Sequence, residues 1–162
     1  MDSVAWNNVA QEFAFDGSWR DIYVFDVDLQ AWQRTLDELR RHARYELVYH
    51  RGGDVSELPA AAADAFPADG QADRMLSVKF AGVQANCHFF IPEEIEFDID
   101  PREVQGQSQL NALLAFMRLL SDATGKDAVL TPENCPEVVV FRSRPNHAAV
   151  EYHEFGGWRA AE

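Results

Sequence analysis

The feature that most constrains this chain is the run Glu-Glu-Ile-Glu-Phe-Asp-Ile-Asp at residues 93–100, in which acidic and apolar residues alternate. Because successive side chains of a β-strand point to opposite faces, this period of two predicts a strand with one apolar and one acidic face. The apolar face consists of Ile95, Phe97 and Ile99. The acidic face consists of Glu94, Glu96, Asp98 and Asp100.

Successive carboxylates on the acidic face lie roughly 6.5–7 Å apart, because each residue of a strand rises about 3.3 Å. The repulsion between such neighbours is below about 1 kcal/mol in water, and salt screens it further. The face therefore has three interpretations: a solvated surface balanced by basic neighbours such as Lys79 and Arg142, a docking surface for a basic protein, or a Ca²⁺ or Mg²⁺ site. A straight strand splays its carboxylates apart, which argues against the cation and leaves the first two interpretations open.

Composition restricts the partners that such a surface can have. The chain has 27 acidic and 14 basic residues, and its formal net charge is −13. This charge repels nucleic-acid phosphates and anionic membranes, so neither is predicted as a partner. It favours solubility and fast encounter with a basic protein.

Other patterns predict the elements around the acidic strand. The turn Asp16-Gly17 predicts a hairpin between 13–15 and 22–25, because a tight turn needs residues that tolerate positive φ. Apolar residues at helical spacing predict helices over 29–43 and 108–124. Further strands are predicted at 45–49, 75–80, 84–91, 128–130, 138–142 and 149–155.

These elements predict a single α+β domain over residues 1–162, with a mostly antiparallel sheet of about six to eight strands and two main helices packed on one face. Residues 54–73, rich in Ala, Asp and Pro, are expected to form a long surface loop. Residues 1–10 and 156–162 are expected to fray.

Cys87 and Cys135 are the two cysteines of the chain. Without a framework of regular spacings, they are interpreted as reduced thiols, although a single disulfide between them stays open. The N-terminal residues lack the basic and apolar regions of a signal peptide, and no run of 18 apolar residues occurs, so a cytoplasmic protein is expected.

Few residues suggest chemistry. His147, Glu151 and His153 would share one face of a continuous strand and are the candidate metal ligands, but their spacing matches no recognised zinc pattern. The chain contains none of the common nucleotide-binding or hydrolase motifs, which favours a non-catalytic protein without a cofactor. Trp19 lies outside the core patterns and is a candidate contact residue, because tryptophan is common at interface hot spots.

Two segments carry a resemblance to a known group of proteins. The stretch Leu130-Thr131-Pro132-Glu133-Asn134, after a Leu-rich helix and Gly125-Lys126, and the run Asp16-Gly17-Ser18-Trp19-Arg20-Asp21-Ile22-Tyr23-Val24 resemble small uncharacterised bacterial proteins. Some of those are similar to immunity proteins of polymorphic toxin systems. The resemblance implies an acidic, non-catalytic protein that binds and blocks a basic toxin.

The predicted function is therefore binding of a basic protein, with a toxin as one such partner. Five residues are the candidate contacts: Glu94, Glu96, Asp98, Asp100 and Trp19. Two alternatives stay open. One is a small hydrolase or metal-dependent enzyme that combines the carboxylates with His147 and His153. The other is a structural or oligomer-forming module, since the sequence leaves the oligomeric state undetermined.

Overall fold

The fold is an open antiparallel sheet with two long helices, seen in a computed structural model that describes residues 4–157. The strands are β1 (Arg20–Phe25), β2 (Glu46–Arg51), β3 (Asp54–Ser56), β4 (Arg74–Phe80), β5 (Val83–His88), β6 (Glu94–Ile99), β7 (Ala128–Pro132), β8 (Phe141–Ser143) and β9 (Val150–Tyr152). The α-helices are α1 (Trp6–Val9), α2 (Leu29–Arg41) and α3 (Gln107–Thr124). Short 3₁₀ turns occupy Ala10–Phe13, Ala62–Ala65 and Pro101–Glu103.

The strand order is β3-β2-β4-β5-β6-β1-β7-β8-β9, and every neighbouring pair is antiparallel. The predicted α+β class is therefore confirmed. The described residues form nine strands, more than the predicted six to eight, in part because β3 lies inside the segment that was expected to be a loop.

The acidic strand is β6, in the middle of the sheet between β5 and β1. Its apolar side chains Ile95, Phe97 and Ile99 are at most 1% exposed. The Phe97 ring stands edge-on to the ring of Phe116 in α3, with centroids 5.0 Å apart. Burying each such side chain contributes about 1.5–3 kcal/mol, so this face of β6 helps to hold α3 on the sheet.

Helix α2 begins at Leu29 because Asp28 caps it: the Asp28 carboxylate accepts a hydrogen bond from the Ala31 amide at 2.8 Å. The helix buries Trp32, whose indole Nε1 donates to the Pro92 carbonyl oxygen at 2.8 Å. Helix α3 ends at Gly125, whose φ of 71° is the left-handed conformation that glycine adopts readily.

The predicted N-terminal hairpin is wrong. Residues 10–13 form a 3₁₀ turn, and β1 pairs with β6 and β7 instead. Arg20 explains the difference, because its side chain is fully buried and donates hydrogen bonds to three backbone carbonyls, those of Glu12, Ala14 and Ser18, at 2.9–3.0 Å. These bonds curl the preceding chain around the guanidinium and use carbonyls that a strand would offer to a neighbour.

The described part of the segment 1–10, which was expected to fray, packs on the fold. Val9 in α1 is fully buried, and the Trp6 ring stacks on Phe13 at 5.8 Å. The Trp6 amide also donates to the side-chain oxygen of Gln107 at 2.7 Å. Packing on α3 therefore holds this segment. Residues 1–3 and 158–162 lie outside the described residues.

The segment 54–73 is mostly exposed, but it contains β3 and a short 3₁₀ turn and is attached to the fold. Ala62 and Ala65 are buried, and the carbonyl oxygen of Ala65 accepts a hydrogen bond from the Tyr49 hydroxyl at 2.7 Å. Phe66 packs edge-on against Trp32 at 5.1 Å.

Both cysteines are free thiols, with Cys87 buried in the core.

Replacing Arg20 with alanine should destabilise the fold strongly, because the side chain is fully buried and three backbone carbonyls lose a donor at once. We expect the free energy of unfolding to fall by about 3 kcal/mol or more in urea titrations followed by circular dichroism. Arg41→Ala is the matched control, since the Arg41 side chain is 68% exposed and should cost less than about 1 kcal/mol. Equal losses in the two variants would contradict a structural role for Arg20.

Candidate functional site

The helices cover one face of the sheet, and the acidic side chains of β6 lie on the other, which we call the open face. Strand register sets their neighbours. Asp98 lies opposite Asp21 of β1 and Asn86 of β5, Glu96 lies opposite Tyr23, and Glu94 lies opposite Phe25. The open face therefore places carboxylates and aromatic rings side by side in successive rows.

Asp98 is already occupied by neighbours on β5. Its Oδ1 accepts a hydrogen bond from the Asn86 amide at 3.1 Å, and its Oδ2 lies 3.1 Å from Nε2 of His88. The hydrogen bond to Asp98 raises the pKa of His88, against the opposing effect of burial. Asp98 therefore acts first as the partner of His88 and Asn86.

Asp100 is also occupied. Its carboxylate forms an ion pair with Arg102 at 2.8 Å and accepts the Arg102 amide hydrogen bond at 2.9 Å, which caps the 3₁₀ turn. The hydrogen bond from the Arg102 side chain holds the pKa of Asp100 below its usual value. This residue has a structural role at the end of β6.

Glu94 and Glu96 differ from the other two acids. Both are partly buried, and no hydrogen bond or ion pair joins either side chain to another residue within 4–157. Burial raises the pKa of Glu94. Burial, with the nearby charges of Asp21 and Glu94, raises the pKa of Glu96. These two carboxylates are therefore less stable in their charged form than carboxylates in water. For Glu96, the charge of the neighbouring His88 offsets only part of the effect of burial.

Asp21 is a member of this acidic group that the sequence analysis missed. It is 3% exposed, and its Oδ2 accepts hydrogen bonds from the Tyr23 hydroxyl at 3.1 Å and the Asn134 amide at 2.8 Å. Burial raises its pKa. The alternation Asp-Ile-Tyr-Val at residues 21–24 was the available signal, since it matches the pattern of β6.

Two aromatic pairs flank Glu94 and Glu96. On β1, the rings of Tyr23 and Phe25 stack at 5.1 Å. Next to β5, the ring of Phe90 stacks on His88 at 5.2 Å with an interplanar angle of 11°. Phe90 remains 67% exposed, so a large apolar surface faces solvent beside the two carboxylates.

Trp19 lies at a distance from this group. It directly precedes β1. Because Arg20, the first residue of β1, pairs with Ile99, Trp19 lies next to the end of β6 that carries Asp100. Six residues of strand separate Trp19 from Phe25, which corresponds to roughly 20 Å. Trp19 is partly buried, and the structure does not bring it to Glu94 and Glu96.

The candidate metal ligands each have other contacts in the structure. His147 lies in a turn, with its Nδ1 2.9 Å from the carbonyl oxygen of Pro145. Glu151 pairs with Arg144 at 2.9 Å and lies 3.7 Å from the Nε2 atom of His153. Within residues 4–157, no group of three or more His, Cys, Asp or Glu side chains is arranged to hold a metal ion.

A groove of about 810 Å³ lies on the opposite side of the molecule, between the C-terminal halves of α2 and α3. Its basic residues are Arg34, Arg41, His42, Arg44 and Arg118. Arg34 donates to the carbonyl oxygen of Ala123 at 2.7 Å, near the end of α3. Basic side chains stabilise helix C-termini, where free carbonyls carry partial negative charge, and this accounts for the arginines here.

No protein-family model, curated protein or solved structure matches this chain. Among the helices of the described region, none has the length and apolar character needed to cross a membrane. Among the places described above, the open face is the strongest candidate site, because it combines unpaired carboxylates with exposed rings.

Replacing Glu96 with glutamine should stabilise the fold at neutral pH. The folded-state pKa of Glu96 is raised, so its charged form opposes folding above that pKa, and an uncharged isostere removes the penalty. We expect a gain of about 0.5–1 kcal/mol at pH 7, measured by urea unfolding. The gain should disappear at low pH, where Glu96 is protonated in both folded and unfolded wild-type chains. A loss of stability in this variant at pH 7 would refute the assignment; exposed Glu93→Gln is the control.

The ring of His88 should titrate above its ordinary pKa of 6.5, because Asp98 stabilises the imidazolium. The resulting stabilisation is fully present below the unfolded-state pKa and is lost as pH rises through the folded-state pKa. NMR titration of the ring protons should show a lower His88 pKa in Asp98→Asn. Asp127→Asn, which removes the ion pair with Arg142 instead, should leave it unchanged. An unaltered His88 pKa in Asp98→Asn would show that the pair is not formed.

Proposed function

We propose that this protein is a non-catalytic binding domain whose open face docks a basic protein. The observation that carries the proposal is the state of Glu94 and Glu96, two partly buried carboxylates with raised pKa values and without partners in the described chain. Arginine or lysine side chains of a partner would supply the missing countercharge. The docking interpretation of the acidic strand therefore has more support than the solvated one.

The charge of the whole chain supports the same proposal. At a net charge of −13, the protein attracts basic partners over a longer range than a single pair of carboxylates does. Complementary charge raises association rates by about 10–10³-fold at low salt. Glu94 and Glu96 would then provide the short-range contacts, while the remaining acids steer the encounter.

The narrower form of the proposal is immunity to a basic toxin in the cytoplasm. It is supported by the resemblance of residues 16–24 and 130–134 to proteins similar to immunity proteins, and by the acidic charge that such blockers need. A protein of this kind blocks its toxin by occupying a basic surface, so it requires no catalytic group of its own.

Removing the two charges should slow docking. For the double variant Glu94→Gln/Glu96→Gln, we expect the association rate with a basic protein encoded next to this gene to fall about tenfold at low salt. Surface plasmon resonance over a series of salt concentrations would measure the rate. In the toxin form of the proposal, the same variant should also lose protection of cells that express the toxin.

The matched control is Glu57→Gln/Glu154→Gln, which changes the net charge equally at two exposed positions away from the open face. Because charges more than about 8 Å from a contact are largely screened at physiological salt, this control should change the rate less than about twofold. Equal effects of the two double variants would reject the open face as the docking surface and leave only a general charge effect.

A further inference from the structure

Exposed apolar side chains are concentrated at one corner of the open face. Of the six large apolar side chains that are exposed among the described residues, four lie there: Phe25, Leu29, Phe90 and Ile91, with exposures of 37–67%. We call this group the apolar corner. Exposed apolar side chains grouped in this way typically mark a site of protein interaction.

The corner is built by contacts between two distant segments of the chain. The Val27 amide donates to the carbonyl oxygen of Glu93 at 3.0 Å, and the indole of Trp32 donates to that of Pro92 at 2.8 Å. Trp32 is itself 1% exposed and packs on Phe89 at 5.2 Å. The backbone beneath the exposed side chains is therefore fixed by the core, so the apolar surface is preorganised for binding.

The apolar corner adjoins the unpaired carboxylates directly. Phe25 lies opposite Glu94 in the β1–β6 register. In the β5–β6 register Cys87 lies opposite Phe97, so the next residue, His88, lies beside Glu96. The ring of Phe90 stacks on His88. Strands β1 and β5 are two strand spacings apart, about 10 Å, which leaves room for a side chain between the two rings and above Glu94.

We infer that the apolar corner, together with Glu94 and Glu96, is the centre of the docking surface and receives a partner segment in which an arginine lies next to a large apolar side chain. This inference rests on the proposed function and specifies the partner's chemistry. Arginine fits better than lysine, because its flat guanidinium stacks on aromatic rings and offers paired donors to carboxylates. The apolar neighbour would cover Leu29 and Ile91.

Charge argues against the other occupants of such a surface. A second copy of the chain docked symmetrically would bring its own Glu94 and Glu96 towards the same carboxylates, whose charged forms burial already disfavours. An anionic membrane would meet the same repulsion. A basic protein segment both covers the rings and supplies the countercharge.

Selection from a phage library of short random peptides on the immobilised wild-type protein tests the inference. Enriched peptides should contain arginine beside a large apolar residue. Synthetic versions should bind Phe25→Ser/Phe90→Ser about tenfold or more weakly than wild type, as expected at an interface hot spot. They should also bind Glu94→Gln/Glu96→Gln more weakly.

The matched control is Phe15→Ser/Val55→Ser, which removes two exposed apolar side chains outside the corner and should change affinity less than about twofold. Phe90→Ser alone is the second variant, because Phe25 also stacks on Tyr23 and its loss could disturb β1. Circular dichroism and urea unfolding would verify that each variant folds.

Four outcomes would overturn the inference. Basic peptides without apolar residues, bound equally by Phe25→Ser/Phe90→Ser, would leave the proposed function intact and remove the corner from it. Enrichment of apolar peptides without basic residues, or a dimer in sedimentation that the corner variants abolish, would assign the corner to another occupant. Failure to enrich any basic peptide would count against the inference and the proposed function together.

Discussion

The register of β6 between β1 and β5 is the constraint on which the rest of this structure depends. A shift by one residue would turn Glu94, Glu96 and Asp98 into the core and expose Ile95, Phe97 and Ile99. Burying unpaired carboxylates costs several kcal/mol each, so no such shift can compete with the observed pairing. This one alternation therefore decides which face receives the helices and which face remains available for a partner.

Local patterns predicted the elements whose stability is local. The period of two in β6, the apolar stripe and Asp28 cap of α2, and Gly125 after α3 are read correctly from neighbouring residues. The N-terminal segment could not be predicted in this way. Asp16-Gly17 signals a turn, but the chain around it is held by Arg20, and Glu12 accepts hydrogen bonds from the Tyr152 hydroxyl and the Phe155 amide at 2.7 and 3.2 Å. The two contacts of Glu12 join residues 140 and 143 positions apart.

The candidate site also has one part that local sequence predicts and another part that depends on contacts with other strands. The alternation along β6 placed its acids on one face, but it carries no information about which side chains the neighbouring strands bring next to them. Asp98 and Asp100 have partners, whereas Glu94 and Glu96 do not, and only the pairing with β5 and the turn at Arg102 reveals the difference. Phe90 was hidden for a related reason, since a run of two phenylalanines looks like core until Phe89 is seen to enter it and Phe90 to leave it.

The isolated molecule has two unfavourable features at the same place, exposed aromatic rings and partly buried carboxylates, and the carboxylates limit self-association through the rings. Exposed aromatic side chains promote self-association, and acidic neighbours oppose it, because two copies that bring their rings together also bring Glu94 and Glu96 together. Burial at the same place raises the pKa values of these carboxylates, so their charged forms are disfavoured. In the proposed complex, a basic, partly apolar partner would relieve both penalties in one contact. An acidic surface without apolar side chains, or an apolar patch without acids, would not select for a partner that is both basic and partly apolar.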